Sequence, residues 1–511
     1  MTDWTSGYVA NVGYTYGYYA ELSPLRAQLL MLNAGLALPQ RGIACELGFG
    51  QGVSANVHAA ASGSSWYGTD FNPSQAAFAR DLAASYTNGA QLYDQSFAEF
   101  CSRDDLPDFD YIGLHGIWSW ISNENRHIIV DFIRRKLKVG GIVYVSYNTS
   151  PGWSAMVPVR NLLARHAEIM TPPGAGVVGK VDSAIAFAHK LWAANPLFAR
   201  AYPLIGEKLK AMEKQDRHYL AHEYFNRDWL PMSFAEMADW METAKLSFGC
   251  SATALDHLPQ LHLSAEQKTL LNEISDPVFR ESVRDFVVNQ QFRRDYWVKG
   301  PRPLNALERV SQLRQLRLVM MRPLQEVDMT ITGTLGQGTM EEKVYRPLLE
   351  LMSDFRPRTL GEIEFALREY QVNLIQLVEC ALVMAEKAVL VAAQDDDAIA
   401  EARPRTAQLN KTLLTYARNG RGLAYLASPV TGGALPLSVV QQLLLLAYVE
   451  GKKQSDEWAE YAWQLLKIQQ QAVLKDGKAL EGDEANLAEL KVQAAGFQTS
   501  RLPMLQALGV V

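Results

Sequence analysis

The chain has 511 residues, of which 48% are hydrophobic and 20% charged. That length accommodates roughly two to four compact domains, and the composition excludes a disordered or fibrous chain. The formal net charge of −6 divides evenly, with 20 basic and 23 acidic residues up to position 250 and 29 and 32 beyond it, so neither half is a basic module built to grip nucleic acid phosphates.

The first third alternates between strand and helix patterns. An apolar strand over 43–47 runs into a glycine-rich turn and a small-residue helix over 53–61. A second strand over 66–69 ends at Asp70, and Asn72 caps a helix over 73–85 that has Pro73 at its first position. Strands over 91–93, 109–114 and 142–147, with a helix over 124–138, complete the pattern. Alternation of this kind implies an α/β fold with a parallel sheet, right-handed crossovers and helices on both faces. The span 155–217 reads as a helical insertion, after which the chain rejoins the sheet near residue 220. A helix over 234–244 and a strand over 246–255 follow.

Beyond residue 256 helices dominate, over 265–289, 306–320, 340–355, 360–370, 373–387, 437–447 and 457–474. A short strand over 389–392 after a helix pair suggests a winged-helix-like unit. The acidic run from Asp395 to Glu401 reads as a linker or exposed corner. These features divide the chain into 1–255, a helical regulatory-type domain over 256–395 and a C-terminal helical domain over 396–511. The four cysteines form no CxxC pair, so neither a zinc ribbon nor a disulfide framework is indicated. The N-terminus lacks a secretory pattern, and the apolar run near 437–449 is interrupted by Gln441 and Gln442. A cytoplasmic protein with no membrane span is expected.

The chemistry concentrates in Cys45-Glu46-Leu47-Gly48-Phe49-Gly50-Gln51-Gly52, between the first strand and the first helix. Glycines there let the chain turn sharply and let a ligand approach the backbone. A nicotinamide fingerprint is GxGxxG; here the third glycine comes one position too early, and an acidic residue precedes the first by two. A carboxylate at the strand end suits an ammonium group. Asp70, 24 residues after Glu46, ends the second strand, where a carboxylate accepts ribose hydroxyls. Two acidic strand ends flanking a glycine turn fit a cofactor with an amino-acid end and a nucleoside end, the form of S-adenosylmethionine.

At these residues the sequence resembles class I S-adenosylmethionine-dependent methyltransferases, with a Rossmann-like seven-stranded domain. More narrowly, it resembles bacterial methyltransferases that carry a methyltransferase regulatory domain. That group includes protein lysine methyltransferases acting on outer-membrane proteins. The resemblance rests on the Tyr14–Pro24 stretch, the Glu46–Gly52 loop, Tyr67-Gly-Thr-Asp70-Phe-Asn-Pro73, the Phe109–Trp120 segment, the Tyr144–Trp153 segment, and His222-Glu-Tyr224 with Ala244-Lys-Leu246 and Gly249-Cys-Ser-Ala252 beyond it. It covers about the first 255 residues, and the remainder more loosely. It implies that Glu46, Gly48, Phe49, Gly50 and Gly52 hold the methionine portion, that Asp70 binds the ribose with Phe71 beside the adenine, and that His115 and Gly116 lie near the transferring methyl. The family's acidic residue after the third strand falls on Ser96, followed by Phe97, a departure at the adenine contact.

On the acceptor side, tyrosines 8, 14, 16, 18 and 19 crowd the first 20 residues, out of 21 in the chain, and aromatic faces attract a sulfonium cation. They suggest a lid, with Tyr16 among the substrate contacts. Trp118 and Trp120, two apart in an extended segment, share a face and, with Asn148 and Trp153, are expected to line an acceptor channel. Tyr14, Tyr18, His115 and His222 are the candidates for taking the acceptor's proton, and Glu223 is an alternative base. His218 and His222 also have metal-ligand spacing on a helix, a reading disfavoured because Trp229 and Pro231 turn the segment back toward the sheet. The expected reaction is direct in-line transfer from S-adenosylmethionine to a protein lysine, leaving S-adenosylhomocysteine. A polysaccharide or small-metabolite acceptor, and a cofactor-binding regulatory protein, stand as alternatives. The second half is left with substrate selection, homodimer formation or regulation.

Overall fold

The computed structural model describes residues 5, 7–9, 16–39 and 42–511. Its centre is a seven-stranded sheet of order β3-β2-β1-β4-β5-β7-β6. The strands are β1 (Ile43–Leu47), β2 (Ser65–Asp70), β3 (Gln91–Asp94), β4 (Phe109–Leu114), β5 (Leu137–Asn148), β6 (Leu246–Ser251) and β7 (Phe292–Lys299). The first five run parallel, and β7 lies antiparallel between β5 and β6. This is the class I methyltransferase arrangement. Helices α1 (Pro24–Asn33), α2 (Val53–Ala61), α3 (Pro73–Ala83), α4 (Phe97–Cys101) and α5 (Asn123–Lys136) accompany the first five strands. Asn72 caps α3 by accepting the Ser74 N–H, with Pro73 at the first position as read from the sequence.

The insertion comprises α6 (Val157–Ile169), α7 (Gly176–Ala193), α8 (Leu197–Ala201), α9 (Pro203–Glu213) and α10 (Arg217–Tyr224), closed around a core of its own that includes Trp153, Leu163, Ile185 and Leu209. The chain then passes through α11 (Phe234–Thr243) and re-enters the sheet at β6, later than residue 220. The single helix expected over 265–289 is two, α12 (Ala265–Asn272) and α13 (Pro277–Val288), because Asp276 caps a new start at Pro277.

The expected boundary at residue 255 cuts through this sheet, since β7 lies beyond it. β7 escaped notice because Arg293-Arg294-Asp295 has no apolar alternation. Arg293 is nonetheless buried, paired with Asp285 at 2.7 Å, Asp295 at 2.9 Å and Glu281 at 2.9 Å, while the Tyr147 hydroxyl donates to Asp295. A buried charge is tolerated when it is paired and hydrogen-bonded all round.

The second half is mostly helical, with a three-stranded antiparallel sheet of Arg317–Met320, Arg358–Thr359 and Leu390–Ala392 beside helices Leu360–Ala366 and Leu374–Glu386. The run expected to be a linker starts a 23-residue helix, Asp396–Arg418. Asp395 caps it, and Asp396 and Asp397 in the first turn suit the helix dipole. The boundary expected at 395/396 falls at this cap, and residues on both sides of it share one apolar core. This helix and the hairpin Tyr425–Ser428/Gly433–Pro436 pack on α2, and one apolar core runs from Leu22 to Val510. Among the described residues no helix is long and apolar enough to cross a membrane.

Arg293→Met should strand the buried Asp285 of α13 and Asp295 of β7 without their cation, costing roughly 3–5 kcal/mol. Denaturant unfolding measures this, and a loss below about 1 kcal/mol would contradict the role assigned to the cluster.

Candidate active site

The strand order reverses between β1 and β4, and ligands of open α/β sheets bind at the carboxyl ends there. Two adjoining cavities, of about 360 and 160 Å³, form a trough over this point and share Tyr8, Gly48 and Gly116 as walls. The larger holds Glu46, Phe49, Gly50, His115, Trp120, Asn148, Trp153, His222 and Glu223. The smaller holds Asp70, Phe71, Gln95, Ser96 and Phe97.

Gly48, Gly50 and Gly52 have φ of +74°, +58° and +67°, left-handed values that favour glycine. A Cβ on Gly48 would stand 2.6 Å from Ile117 Cγ2, and one on Gly52 2.5 Å from Ala79 Cβ. Gly52 thus seats α2 against α3 and is absent from the cavity lining, which corrects its expected place among ligand contacts. Gly50 N–H donates to Asp70 Oδ2 at 2.8 Å and Asn72 N–H to Oδ1 at 2.9 Å. The loop and the second acidic strand end are therefore one unit. Burial lifts Asp70 to about 6, although both N–H groups pull it down.

Glu46 is 3% exposed, and its Oε2 has no hydrogen-bond partner. Burial, then the Asp70 charge, push it up to about 8. An unpartnered buried carboxylate is costly unless a cation or donor completes it. His115 caps β4; its Nδ1 lies 2.9 Å from the Tyr144 hydroxyl and its ring stacks on Tyr19 at 3.7 Å. Burial lowers it to about 4, so it is a neutral imidazole at pH 7.

Helix α10 adds His222 and Glu223 to the lining of the larger cavity. Burial raises Glu223 to about 7, with Asn148 and Lys208 offsetting it. The Asn148 amide faces this carboxyl, yet its Nδ2 closes no hydrogen bond of normal geometry. Trp120 Nε1 donates to the Glu223 carbonyl at 3.3 Å, and Lys208 Nζ lies 3.7 Å over the Trp153 ring. Asp216 is spent as the α10 cap, and among the described residues no group of three or more His, Cys, Asp or Glu is placed to hold a metal.

Several expected contacts lie elsewhere. Trp118 is fully buried between Trp240, Met232 and Arg126, because residues 118–120 form a 3₁₀ turn that splits the two tryptophans. Tyr18 packs on His58 and Tyr425 beneath the C-terminal hairpin, outside the trough. Tyr16 is 48% exposed and rests on Phe78. Tyr14 lies outside the described residues. Of the N-terminal tyrosines, Tyr19 and Tyr8 reach the trough, the latter beside Phe71 and His222 at ring distances of 5.6 and 5.5 Å; Tyr219 of α10 lines it too. Gln95 and Ile117 were not singled out in the sequence; nothing in their spacing marks them. Ser96 lines the smaller cavity, but its hydroxyl is engaged with Glu99 in the cap of α4.

A seven-stranded sheet of this order, with an acidic-glycine loop at its switch point, defines a class I methyltransferase. The family profile "Predicted methyltransferase regulatory domain" matches residues 216–299. That match spans α10 to β7, not 256–395 as expected, so it covers the last two strands and one wall of the trough. The chain is 37% identical over 512 residues to "Uncharacterized protein sll1526" of Synechocystis, covering 99% of each, and it belongs to that protein's family. It is 27% identical over 247 residues to "Uncharacterized protein RP789" of Rickettsia prowazekii, covering 45% of this chain and 42% of that protein. Among solved structures, that of PKMT2 from Rickettsia typhi in complex with AdoHcy shares the fold with a TM-score of 0.69 at 16% identity, covering 97% of this chain and 99% of that one.

Because the folded-state pKa of Glu46 lies near 8, against an ordinary 4.5, the ligand-free protein holds a proton between these values that the unfolded chain releases. Stability should therefore fall as pH rises through that window. Glu46→Gln should match wild type near pH 5 and exceed it at pH 8 by roughly 2–4 kcal/mol, measured by chemical denaturation. A variant no more stable at pH 8 would contradict the assignment.

Proposed function

We propose that this methyltransferase binds S-adenosylmethionine along the trough and methylates the side-chain amine of a protein lysine. The orphaned Glu46 carboxylate supports the cofactor's fit, since an ammonium group would complete it. Asp70, held open by two backbone N–H groups, would take the ribose hydroxyls, with Phe71, Gln95, Ser96 and Phe97 around the base. When bound, S-adenosylmethionine supplies a methyl group on a positively charged sulfur, which a neutral amine placed in line can displace. The fold shared with the PKMT2 structure is compatible with this reading at the level of architecture.

The observation that carries the acceptor is Glu223. An amine must shed a proton before it can attack, and Glu223 is a buried carboxyl balanced near pH 7 on the acceptor wall. Trp120 and Trp153 beside it exclude water and favour the neutral amine over the ammonium. Tyr19, stacked on His115, closes the wall near the end of β4, and Tyr8 lies over the junction of the two cavities. Neutral His115 accepts from or donates to Tyr144 and so positions the wall instead of taking the proton. The four free, buried cysteines fit a reducing compartment such as the cytoplasm.

Incubation with cell lysate and radiolabelled cofactor should label a protein band whose hydrolysate contains methylated lysine. Label confined to glycan or low-mass fractions, or cofactor binding without turnover, would contradict the proposal. Glu223→Gln should lower kcat by about 10²–10⁴-fold and abolish the rise of activity through pH 7, because only the ionised carboxylate can accept the proton. Asp70→Ala should weaken cofactor binding at least tenfold, roughly 1.4 kcal/mol, by calorimetry.

A further inference from the structure

We infer that a groove beside the acceptor cavity, between α6, α7 and the turn at 225–227, binds carboxylate side chains that flank the acceptor lysine in a polypeptide substrate. This rests on the lysine reading above and adds to it the kind of sequence recognised.

The groove has a volume of about 490 Å³. It is joined to the acceptor cavity by Asn226, which lines both. A short strap of backbone runs along this border: Val9 N–H donates to Asn226 Oδ1 at 2.8 Å, and Arg227 N–H donates to the Gly7 carbonyl at 3.0 Å. Side chains of one extended peptide can therefore reach both places at once.

Its charge is opposite to that of the chain. Four cations, Arg160, Arg165, Lys180 and Arg227, face one carboxylate, Glu168, in a protein of net charge −6. Arg165 meets Glu168 at 3.5 Å and Arg227 meets Asp228 at 3.0 Å, both on exposed surface. Exposed pairs of this kind are weak and exchange readily with an incoming carboxylate. Lys180 makes no ion pair among the described residues.

Arg160 lies at the buried side of the groove. It is 5% exposed, lies over Trp229 at 5.4 Å and donates to the Asn226 carbonyl, yet its Nε has no partner. Asp228 and Glu168 act on it only through space. Its fixed positive charge adds to the attraction that the groove's more exposed cations exert on a carboxylate. Val181 and Phe225 supply apolar wall for the stems of acidic side chains. A one-sided groove of this size does not follow a nucleic acid backbone, whose repeated phosphates need a long basic track.

Two fluorescent peptides test this, one with a central lysine flanked by Asp and Glu, the other with the corresponding Asn and Gln. Anisotropy titrations of the full-length protein, saturated with S-adenosylhomocysteine, should show the acidic peptide bound about tenfold or more tightly. The preference should shrink with added salt. Arg165→Gln with Lys180→Gln should remove most of that preference while leaving S-adenosylhomocysteine affinity unchanged by calorimetry. Equal binding of the two peptides, no binding of either, or a preference that survives in the double variant would overturn the assignment. Tight, charge-dependent binding of the acidic peptide, with no methylation of its lysine when S-adenosylmethionine replaces S-adenosylhomocysteine in a parallel incubation, would uphold the groove and count against the lysine acceptor instead.

Discussion

The buried carboxylate of Glu46 is the constraint around which the rest of the site is arranged. A carboxyl group at the end of a central parallel strand, without a partner for one oxygen, is an expense that a purely structural design would avoid. It persists because the sheet reverses its strand order beside it, because three left-handed glycines carry the chain tightly around it, and because Asp70 is tied to that turn by the Gly50 N–H. Like-charge repulsion between the two acidic groups adds to the burial. A ligand bearing a cation at one end and hydroxyls at the other relieves both, which is how the architecture and the chemistry of methyl transfer meet at one loop.

The second half of the chain bears on that loop from behind. Helix α2, which begins at the last glycine, is overlaid by helix Asp396–Arg418 and the C-terminal hairpin. Gln394 Nε2 donates to the Ala61 carbonyl at 2.7 Å, and His58, stacked on Trp66, lies within 3.5 Å of the Gly432 carbonyl. Tyr18 is part of this seam, not of the catalytic trough. Another part of the trough's wall comes from the insertion, whose α10 contributes Glu223. The two additions to the central sheet thus meet different parts of it: one packs on α2 behind the glycine loop, the other lines the larger cavity.

Much of this was legible in the sequence where local chemistry decides. The Glu46–Gly52 loop, Asp70 and the Asn72-Pro73 helix start follow from turn geometry and capping, which act over a few residues. The fit failed where tertiary packing decides. β7 carries two arginines and an aspartate, and only the surrounding carboxylates make it a central strand. Trp118 and Trp120 were read as sharing a face in an extended segment, but a 3₁₀ turn sends one inward. The tyrosine-rich N-terminus reads as an aromatic lid, yet spacing could not tell Tyr8 and Tyr19, which line the trough, from Tyr16 and Tyr18, which do not. The acidic run after Asp395 reads as solvent-exposed by composition, while its position as cap and first turn makes it a helix start.

The central claim is that a protonated, buried Glu46 becomes an ion-pair partner when the cofactor's ammonium arrives. Calorimetric titration with S-adenosylhomocysteine at pH 7, in buffers of different ionisation enthalpy, counts the protons exchanged on binding. The account predicts release of close to one proton per ligand bound, fading above about pH 8 as the free carboxyl ionises by itself. Binding with no proton released, or with proton uptake, would contradict it.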